Sequence, residues 1–311
     1  MSAPGQPRAP EIDHPPVSII TPVFNGAPYL DAYFGPYRSA PTGRFELIVV
    51  DNGSDDGTLE VLESLKAELP FLRVFSYTER RSSYAARNFG ASRAQGRLLA
   101  FTDFDCIVSP DYTRILQELA DGPLHSLTSG TVELFYRTRN TFEVFDHHAY
   151  LDQESYAARG RGATANLAVP AGIFRRLGGF APVTSGADVD FCDRARSIGV
   201  RLEYRPELRV LHPPRDTAAA HIEKASRIGT GLGELFRNSR LGIARRTVFA
   251  ATQLANLAVP RFQLGIFRRI VRAERLDLAQ RIRLLILCYR VGWAARLAML
   301  PYAFRPTEED L

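Results

Sequence analysis

Apolar and polar residues follow two rhythms in the first hundred positions. Val17 to Val23 (Val-Ser-Ile-Ile-Thr-Pro-Val) is β-branched and apolar and runs into the turn cluster Asn25-Gly26-Ala27-Pro28, which predicts a strand followed by a loop. Helical spacing from Tyr29 to Tyr37 follows. Phe45 to Asp51 repeats the strand pattern and closes on Asn52-Gly53-Ser54-Asp55-Asp56-Gly57, after which Thr58 to Glu68 has helical spacing. Leu72 to Phe75 predicts a third strand, Ser83 to Ala94 a helix, and Arg97 to Thr102 a fourth strand. Alternation of this kind predicts an α/β fold: βαβ units with right-handed crossovers and a mainly parallel central sheet flanked by helices.

Further strands are expected over Leu127 to Tyr136, Ala165 to Val169 and Arg201 to Val210, with a helix over Asp188 to Ile198; Phe142 to Gly160 mixes aromatic and polar residues without an assignable period. After His212-Pro213-Pro214 the rhythm changes. Residues 216–304 hold long helical stretches such as Leu276 to Leu300, with Arg interleaved among apolar positions and no repeat. The chain therefore divides into a flexible Pro- and Ala-rich lead-in over 1–16, an α/β domain over 17–214 and a helical region over 215–311. The lead-in lacks the apolar segment of a signal peptide or anchor.

Charge sharpens that division. Residues 1–214 hold 22 Lys and Arg against 26 Asp and Glu, a net of −4, whereas residues 215–311 hold 17 against 8, a net of +9, sixteen of the 17 being Arg. Arg set among Leu, Ile and Phe suits an anionic surface better than a solvated linker. It lacks the aromatic stacking surface of a nucleic-acid binder, so no nucleic-acid partner is expected. Two readings of this region stand side by side: a helix lying on an anionic membrane surface, and an amphipathic helix packed on the α/β domain. A transmembrane span is disfavoured because Arg290 and Arg296 interrupt Leu284 to Leu300. The lone Trp293 reads as a core residue. Cys106, Cys192 and Cys288 have neither zinc-ligand nor disulfide-framework spacing, which fits a reducing, cytoplasmic setting, peripheral on the inner face of the membrane if the first reading holds.

Candidate chemistry centres on the end of the fourth strand, Leu98-Leu99-Ala100-Phe101-Thr102-Asp103-Phe104-Asp105. In an extended segment Asp103 and Asp105 share a face and can grip one hard divalent ion, Mn²⁺ or Mg²⁺, whose remaining positions substrate phosphates would fill. The same two acids also read as solvated loop residues. Asn52 to Gly57 with Glu63 nearly fits a calcium loop, though Asn52 stands at the first position and a strand precedes it. No GxGxxG follows the first strand, which argues against a nicotinamide enzyme. His147 and His148 are adjacent, so they cannot form the spaced pair of a zinc site and read as surface or acceptor-cleft residues.

Taken in order, these segments resemble the family 2 glycosyltransferases, inverting enzymes with the A-type glycosyltransferase (nucleotide-diphospho-sugar transferase) fold. The resemblance is carried by Val17 to Asn25, Glu46 to Thr58, Ala85-Ala86-Arg87-Asn88-Phe89-Gly90, the acidic pair, Gly178-Gly179-Phe180, Asp188-Val189-Asp190-Phe191 with Asp193-Arg194, and Val210-Leu211-His212. It covers residues 17–213, which makes 17–214 the catalytic domain. It implies a donor pocket shaped by Pro22, Val23, Phe24 and Asn25, with Asp51 on the base, which favours a uridine donor. Arg87 and Asn88 would position nucleotide or diphosphate, together with Asp103. Asp105, Asp103 and His212 would hold Mn²⁺ or Mg²⁺, Asp188 would be the catalytic base, and Asp190 and Arg194 would lie on the acceptor side. The implied partners are a nucleoside-diphosphate sugar and a glycan or lipid-linked acceptor. Three positions depart from the family pattern, each where an acid is common: Ala27, Ala187 and Cys106. The first two also permit a different class of function, a catalytically silent nucleotide-sugar or glycan-binding partner of a membrane polysaccharide-assembly complex.

Overall fold

The computed structural model describes residues 15–40, 44–149, 152–238, 251–252, 264–273 and 276–304. Most of the lead-in expected over 1–16 therefore lies outside the described residues. In chain order the elements are β1 (Val17–Val23), α1 (Leu30–Arg38), β2 (Phe45–Asp51), α2 (Thr58–Leu65), β3 (Leu72–Ser76), α3 (Ser83–Arg93), β4 (Leu98–Thr102), β5 (Ile107–Val108) and α4 (Tyr112–Asp121). Then follow β6 (Leu127–Leu134), α5 (Thr141–Ala149), α6 (Gln153–Ala157), β7 (Asn166–Pro170), α7 (Ala171–Arg176), α8 (Ala187–Ser197) and β8 (Leu202–His212). Three long helices, α9 (Ala218–Asn238), α10 (Leu264–Arg272) and α11 (Leu278–Phe304), complete the described chain.

The strands form one sheet in the order β3-β2-β1-β4-β7-β6-β8-β5. Its first half, β3-β2-β1-β4, is parallel as expected. The second half is mixed, because β7 runs antiparallel to both β4 and β6, and β5 antiparallel to β8. The reason this escaped the sequence pattern is physical: every residue of β7 is buried, and a strand covered on both faces shows a continuous apolar run whichever way it points.

Alternate residues of the central strands feed two cores. Ile19, Leu47 and Val49 pack with Tyr33, Phe34, Leu62 and Tyr112 of α1, α2 and α4. Ile20, Ile48 and Phe101 pack on the other face with Tyr84, Phe174 and Phe191 of α3, α7 and α8. Each such buried side chain contributes about 1.5–3 kcal/mol of transfer free energy. Between the layers, Tyr33 Oη donates to Thr21 Oγ1 at 2.7 Å, and Thr21 and Thr102 share a hydroxyl hydrogen bond of 2.7 Å. That network ties β1 to β4 directly beneath Asp103.

Phe142 to Gly160, unassigned from the pattern, contains α5 and α6. A third core joins Phe145 of α5 to Ile270 of α10 and to Leu284, Leu287 and Cys288 of α11, so the C-terminal helices pack on the α/β unit along one face. Trp293, expected in the core, instead stands on the outer face of α11, 39% exposed.

Candidate active site

Parallel strands β1, β2 and β4 end at one edge of the sheet, where open α/β folds place their ligands. A cleft of about 350 Å³ opens there, lined by Pro22, Val23 and Phe24 after β1, Tyr84 and Arg87 of α3, Asp103 and Asp105 after β4, Thr164 before β7, Asp188 of α8 and His212 of β8. Phe24 is exposed at the mouth, and the Arg81 guanidinium lies 4.4 Å from its ring centre.

The loops around this mouth brace one another. Asn25 sits at φ 53°, the left-handed region that Asn tolerates; its amide donates to Asp55 at 2.9 Å and accepts from the Asp55 N–H at 3.0 Å. Asp51 is 1% exposed and accepts the Gly53 and Ser54 N–H groups at 3.0 and 3.2 Å. Neither side chain lines the cleft, so both shape the donor loops from behind. Asp56 is likewise committed, accepting from the Thr58 and Ala27 N–H groups, while Asn52 donates to the Tyr77 and Arg80 carbonyls. This loop is knotted by internal hydrogen bonds and does not turn its oxygens inward as a calcium loop must.

Donor atoms of Asp103, Asp105, Cys106 and His212 lie within 4.8 Å of one another. The short strand β5, invisible in the sequence pattern, is what assembles them: its antiparallel pairing of Ile107 with Leu211 carries His212 back to the acids. His212 Nδ1 is 2.7 Å from the Pro213 carbonyl oxygen, an acceptor. In the neutral ring Nδ1 is therefore the protonated nitrogen, and the lone pair of Nε2 faces Asp105 Oδ2 at 3.8 Å. Asp103 is paired with Arg87. Asp105 Oδ1 is sealed from solvent without a hydrogen-bond partner, although the side chain as a whole keeps 32% of its surface at the cleft floor. Burial pushes its carboxyl above the usual carboxylate range, the charged form of the His212 ring pulls part of the way back and Asp103 pushes it up again. An orphaned carboxylate oxygen beside a second carboxylate and an imidazole lone pair is a donor set that fits a hard divalent cation. Cys106 does not share that role, since burial pushes its thiol well above its ordinary value and keeps it protonated.

Asp188, which lines the same cleft, occupies the first turn of α8, after Gly186 at φ 86°. Its carboxylate accepts the Thr164 N–H at 3.2 Å and the Val189 N–H at 2.9 Å. The Tyr84 phenol lies close by, and burial together with the Asp188 charge pushes it well above the usual phenol range, so that it keeps its proton. Neither Tyr84 nor Thr164 carries a sequence signal beyond its neighbourhood. Ala187, the apparent loss of an acid, is wholly buried in the core beneath α8, so this departure changes packing and leaves the cleft wall intact.

Three further predicted site residues are placed away from the cleft. Asn88 bridges the Phe180 backbone, donating to its carbonyl at 2.8 Å and accepting its N–H at 2.9 Å. Arg194 donates to the Leu177 and Gly179 carbonyls and to Asp190 at 2.6–2.8 Å. Asn88, Asp190 and Arg194 together clamp the Gly178-Gly179-Phe180 turn, a duty that accounts for the motif without any contact in the cleft. His147 and His148 line a separate cleft with Tyr136 and Leu276. Conversely Arg215, Lys224 and Arg227 line the main cleft, although residue 214 is where the composition changes. Arg215 is anchored by the fully buried Asp146 of α5, at 2.8 Å from its N–H and 3.2 Å from its guanidinium. Helix α9 also holds the loop before Asp188: Glu234 accepts from the Thr184 N–H at 2.6 Å and hydroxyl at 3.0 Å.

Comparison with known proteins agrees with this geometry. The chain is 29% identical over 306 residues to the glycosyltransferase AglE of Haloferax volcanii, covering 95% of this chain and 98% of that one. Among solved structures, the Pyrobaculum calidifontis mannosyltransferase PcManGT, in complex with GDP-Man and Mn²⁺, superposes with a TM-score of 0.61 at 20% identity, over 92% of this chain and 87% of that one. S. aureus TarS 1-349, in complex with UDP-GlcNAc, gives a TM-score of 0.53 at 15% identity, over 92% and 89%. Both likenesses show the fold. Residues 18–183 match the family described as Glycosyl transferase family 2, and with the acidic pair, the histidine and the carboxylate on α8 gathered around one cleft, the chain belongs to that family of glycosyltransferases.

Proposed function

We propose that the chain transfers a sugar from a nucleoside-diphosphate sugar to a hydroxyl of a glycan or lipid-linked acceptor, with inversion at the anomeric carbon. The observation that carries this reading is that Asp188 lines the same cleft as Asp103, Asp105 and His212. Asp105, Asp103 and His212 would hold Mn²⁺ or Mg²⁺, which when bound neutralises charge on a departing diphosphate as a Lewis acid. Arg87 adds a fixed guanidinium at the same wall, able to meet phosphate oxygens. The exposed Phe24 offers a flat face to a nucleobase.

Asp188 is the general base of this scheme. Its two backbone donors fix the carboxylate, and a hydroxyl within about 3 Å can pass it a proton as the bond to the anomeric carbon forms. Attack from the α8 side on a donor bound at the Asp103 side gives inversion. Uridine is the first donor base to test and guanosine the second, one fold neighbour binding UDP-GlcNAc and another GDP-Man, although Asp51 at the end of β2 stands behind the cleft wall. A lipid-linked acceptor lies at a membrane, and the reading carries a cytoplasmic, membrane-peripheral setting with it. The silent-partner alternative draws nothing from Ala187, which faces the core.

Calorimetric titration with UDP, GDP, dTDP and CMP compounds, with Mn²⁺ and with EDTA, tests the scheme. Asp105→Ala should lose metal-linked donor binding. Asp188→Asn should keep it and lower transfer by about 10²–10⁴-fold, and the anomeric configuration of the product, read by NMR, should be opposite to the donor's. Full transfer in both variants would overturn the assignment.

A further inference from the structure

Helices α10 and α11 present apolar side chains to the outside. On α11, Leu278, Ile282, Ile286, Tyr289, Trp293 and Leu297 are 39–74% exposed; steps of four and three residues place them in one continuous stripe. This is not the core face of the helix, which is engaged with Phe145 and Ile270 through Leu284, Leu287 and Cys288. Arg283 and Arg290, both exposed, are seven residues apart and run along one edge of the stripe. Helix α10 repeats the arrangement, with exposed Phe267 and Val271 beside exposed Arg268 and Arg272. Among the described residues of these two helices the exposed charges are five Arg and no acid; Asp277, just before α11, caps that helix by accepting the Gln280 N–H at 2.7 Å.

We infer that this face lies flat on an anionic membrane surface, with the stripe in the headgroup and upper acyl region and the arginines on lipid phosphates. An apolar face bearing Trp and Tyr, edged by Arg, matches the interfacial helix in both residue classes. Two other arrangements fit less well. A second copy seated on the stripe would bring Arg edges together with no acid to meet them, which costs free energy. Crossing the bilayer is allowed by length, since Leu278–Tyr302 spans 25 residues and its most apolar 18-residue window has a mean hydropathy of 1.4. It would, however, put Arg283, Arg290 and Arg296 into hydrocarbon and strip the inner face from α5 and α9. The inference rests on the surface of α10 and α11 and is independent of the transferase reading.

Trp293 is the only tryptophan of the chain, so the intact protein carries its own reporter. Its fluorescence should shift to the blue, and be quenched by brominated acyl chains, on addition of phosphatidylcholine vesicles containing phosphatidylglycerol, with little change on phosphatidylcholine alone. Arg283→Gln with Arg290→Gln should weaken vesicle binding about thirtyfold at low salt. Ile282→Ser with Ile286→Ser, at exposed positions, should abolish co-flotation while leaving the melting temperature unchanged. No shift with either vesicle, or equal salt-insensitive binding to both, would overturn the inference. So would a dimer mass in light scattering without lipid that the double serine variant returns to the monomer.

Discussion

At the scale of single residues, Asp105 holds the site's internal tension: it is placed to bind a cation, and without one it keeps a carboxylate oxygen sealed and unpaired. Its carboxyl lies above the usual carboxylate range because of burial, so the folded chain holds that proton more tightly than the unfolded chain. Stability without metal should therefore fall as pH rises from the ordinary carboxylate value through the raised one, the folded state being the one that binds more protons in that window. Asp105→Asn should flatten this dependence and raise apo stability near neutral pH by roughly 1 kcal/mol, the low end for an unsatisfied polar group because part of the side chain meets solvent. Wild type should gain about 2.7 kcal/mol at a hundredfold excess of Mn²⁺ over its dissociation constant, and the variant none. Thermal melts across pH, with and without Mn²⁺, check both statements. The acids themselves were legible in the sequence, because an apolar run ending in two carboxylates is a local pattern. The groups that hold the rest of the site were not: Tyr84 and the Thr164 N–H beside Asp188, and the Pro213 carbonyl on His212, reach it through contacts that leave no mark on spacing.

At the scale of elements, the parallel half of the sheet was legible because buried β-branched runs alternate with amphipathic helices and turn residues punctuate them. The other half was not. A two-residue strand such as β5 is too short to show a period, and the direction of β7 leaves no trace in its residues. Helix α9 shows how much such elements decide. A Cβ at Gly231 would stand 2.0 Å from the Ser185 carbonyl oxygen, and one at Gly229 would stand 1.8 Å from that of Ala295 in α11. Gly231→Ala must therefore push the 184–186 loop away from α9, and with it the start of α8. The expected cost is about 1–3 kcal/mol of stability, with transfer falling further than donor affinity, since Asp188 moves and the Asp103 side does not. Melting curves, calorimetric donor titration and turnover on the same preparation separate the two effects.

At the scale of the whole molecule, the change of composition at residue 214 looks like a domain boundary and the cleft does not respect it. Arg215, Lys224 and Arg227 stand in the same cleft as the acids, and Asp146, fully buried, is held by Arg215. A chain ending at residue 214 would leave that carboxylate without its guanidinium, a loss on the order of 3–5 kcal/mol for a buried pair, and would uncover the apolar faces that α9 and α11 protect. Such a truncation should aggregate or fail to bind any nucleoside diphosphate in size-exclusion and calorimetric assays. A soluble truncated chain with undiminished affinity would show the helical region to be dispensable. The uneven charge, read from sequence as a mark of an interaction surface, has two structural destinations: part of it turns inward to the cleft and part outward along α10 and α11.

Gly229 and Gly231, two positions apart, face opposite sides of α9 and let its backbone touch Ala295 on one side and Ser185 on the other. Backbone meets backbone at both contacts, with no side chain between to deform. Helix α9 is thereby a spacer of fixed thickness, and it sets the standoff between the carboxylate of Asp188 and whatever plane α11 rests upon. On the proposed scheme an acceptor presented from that plane would meet Asp188 at one height only, so the reach of the transfer, how far a hydroxyl stands from the surface that carries it, would be written into the width of a single helix.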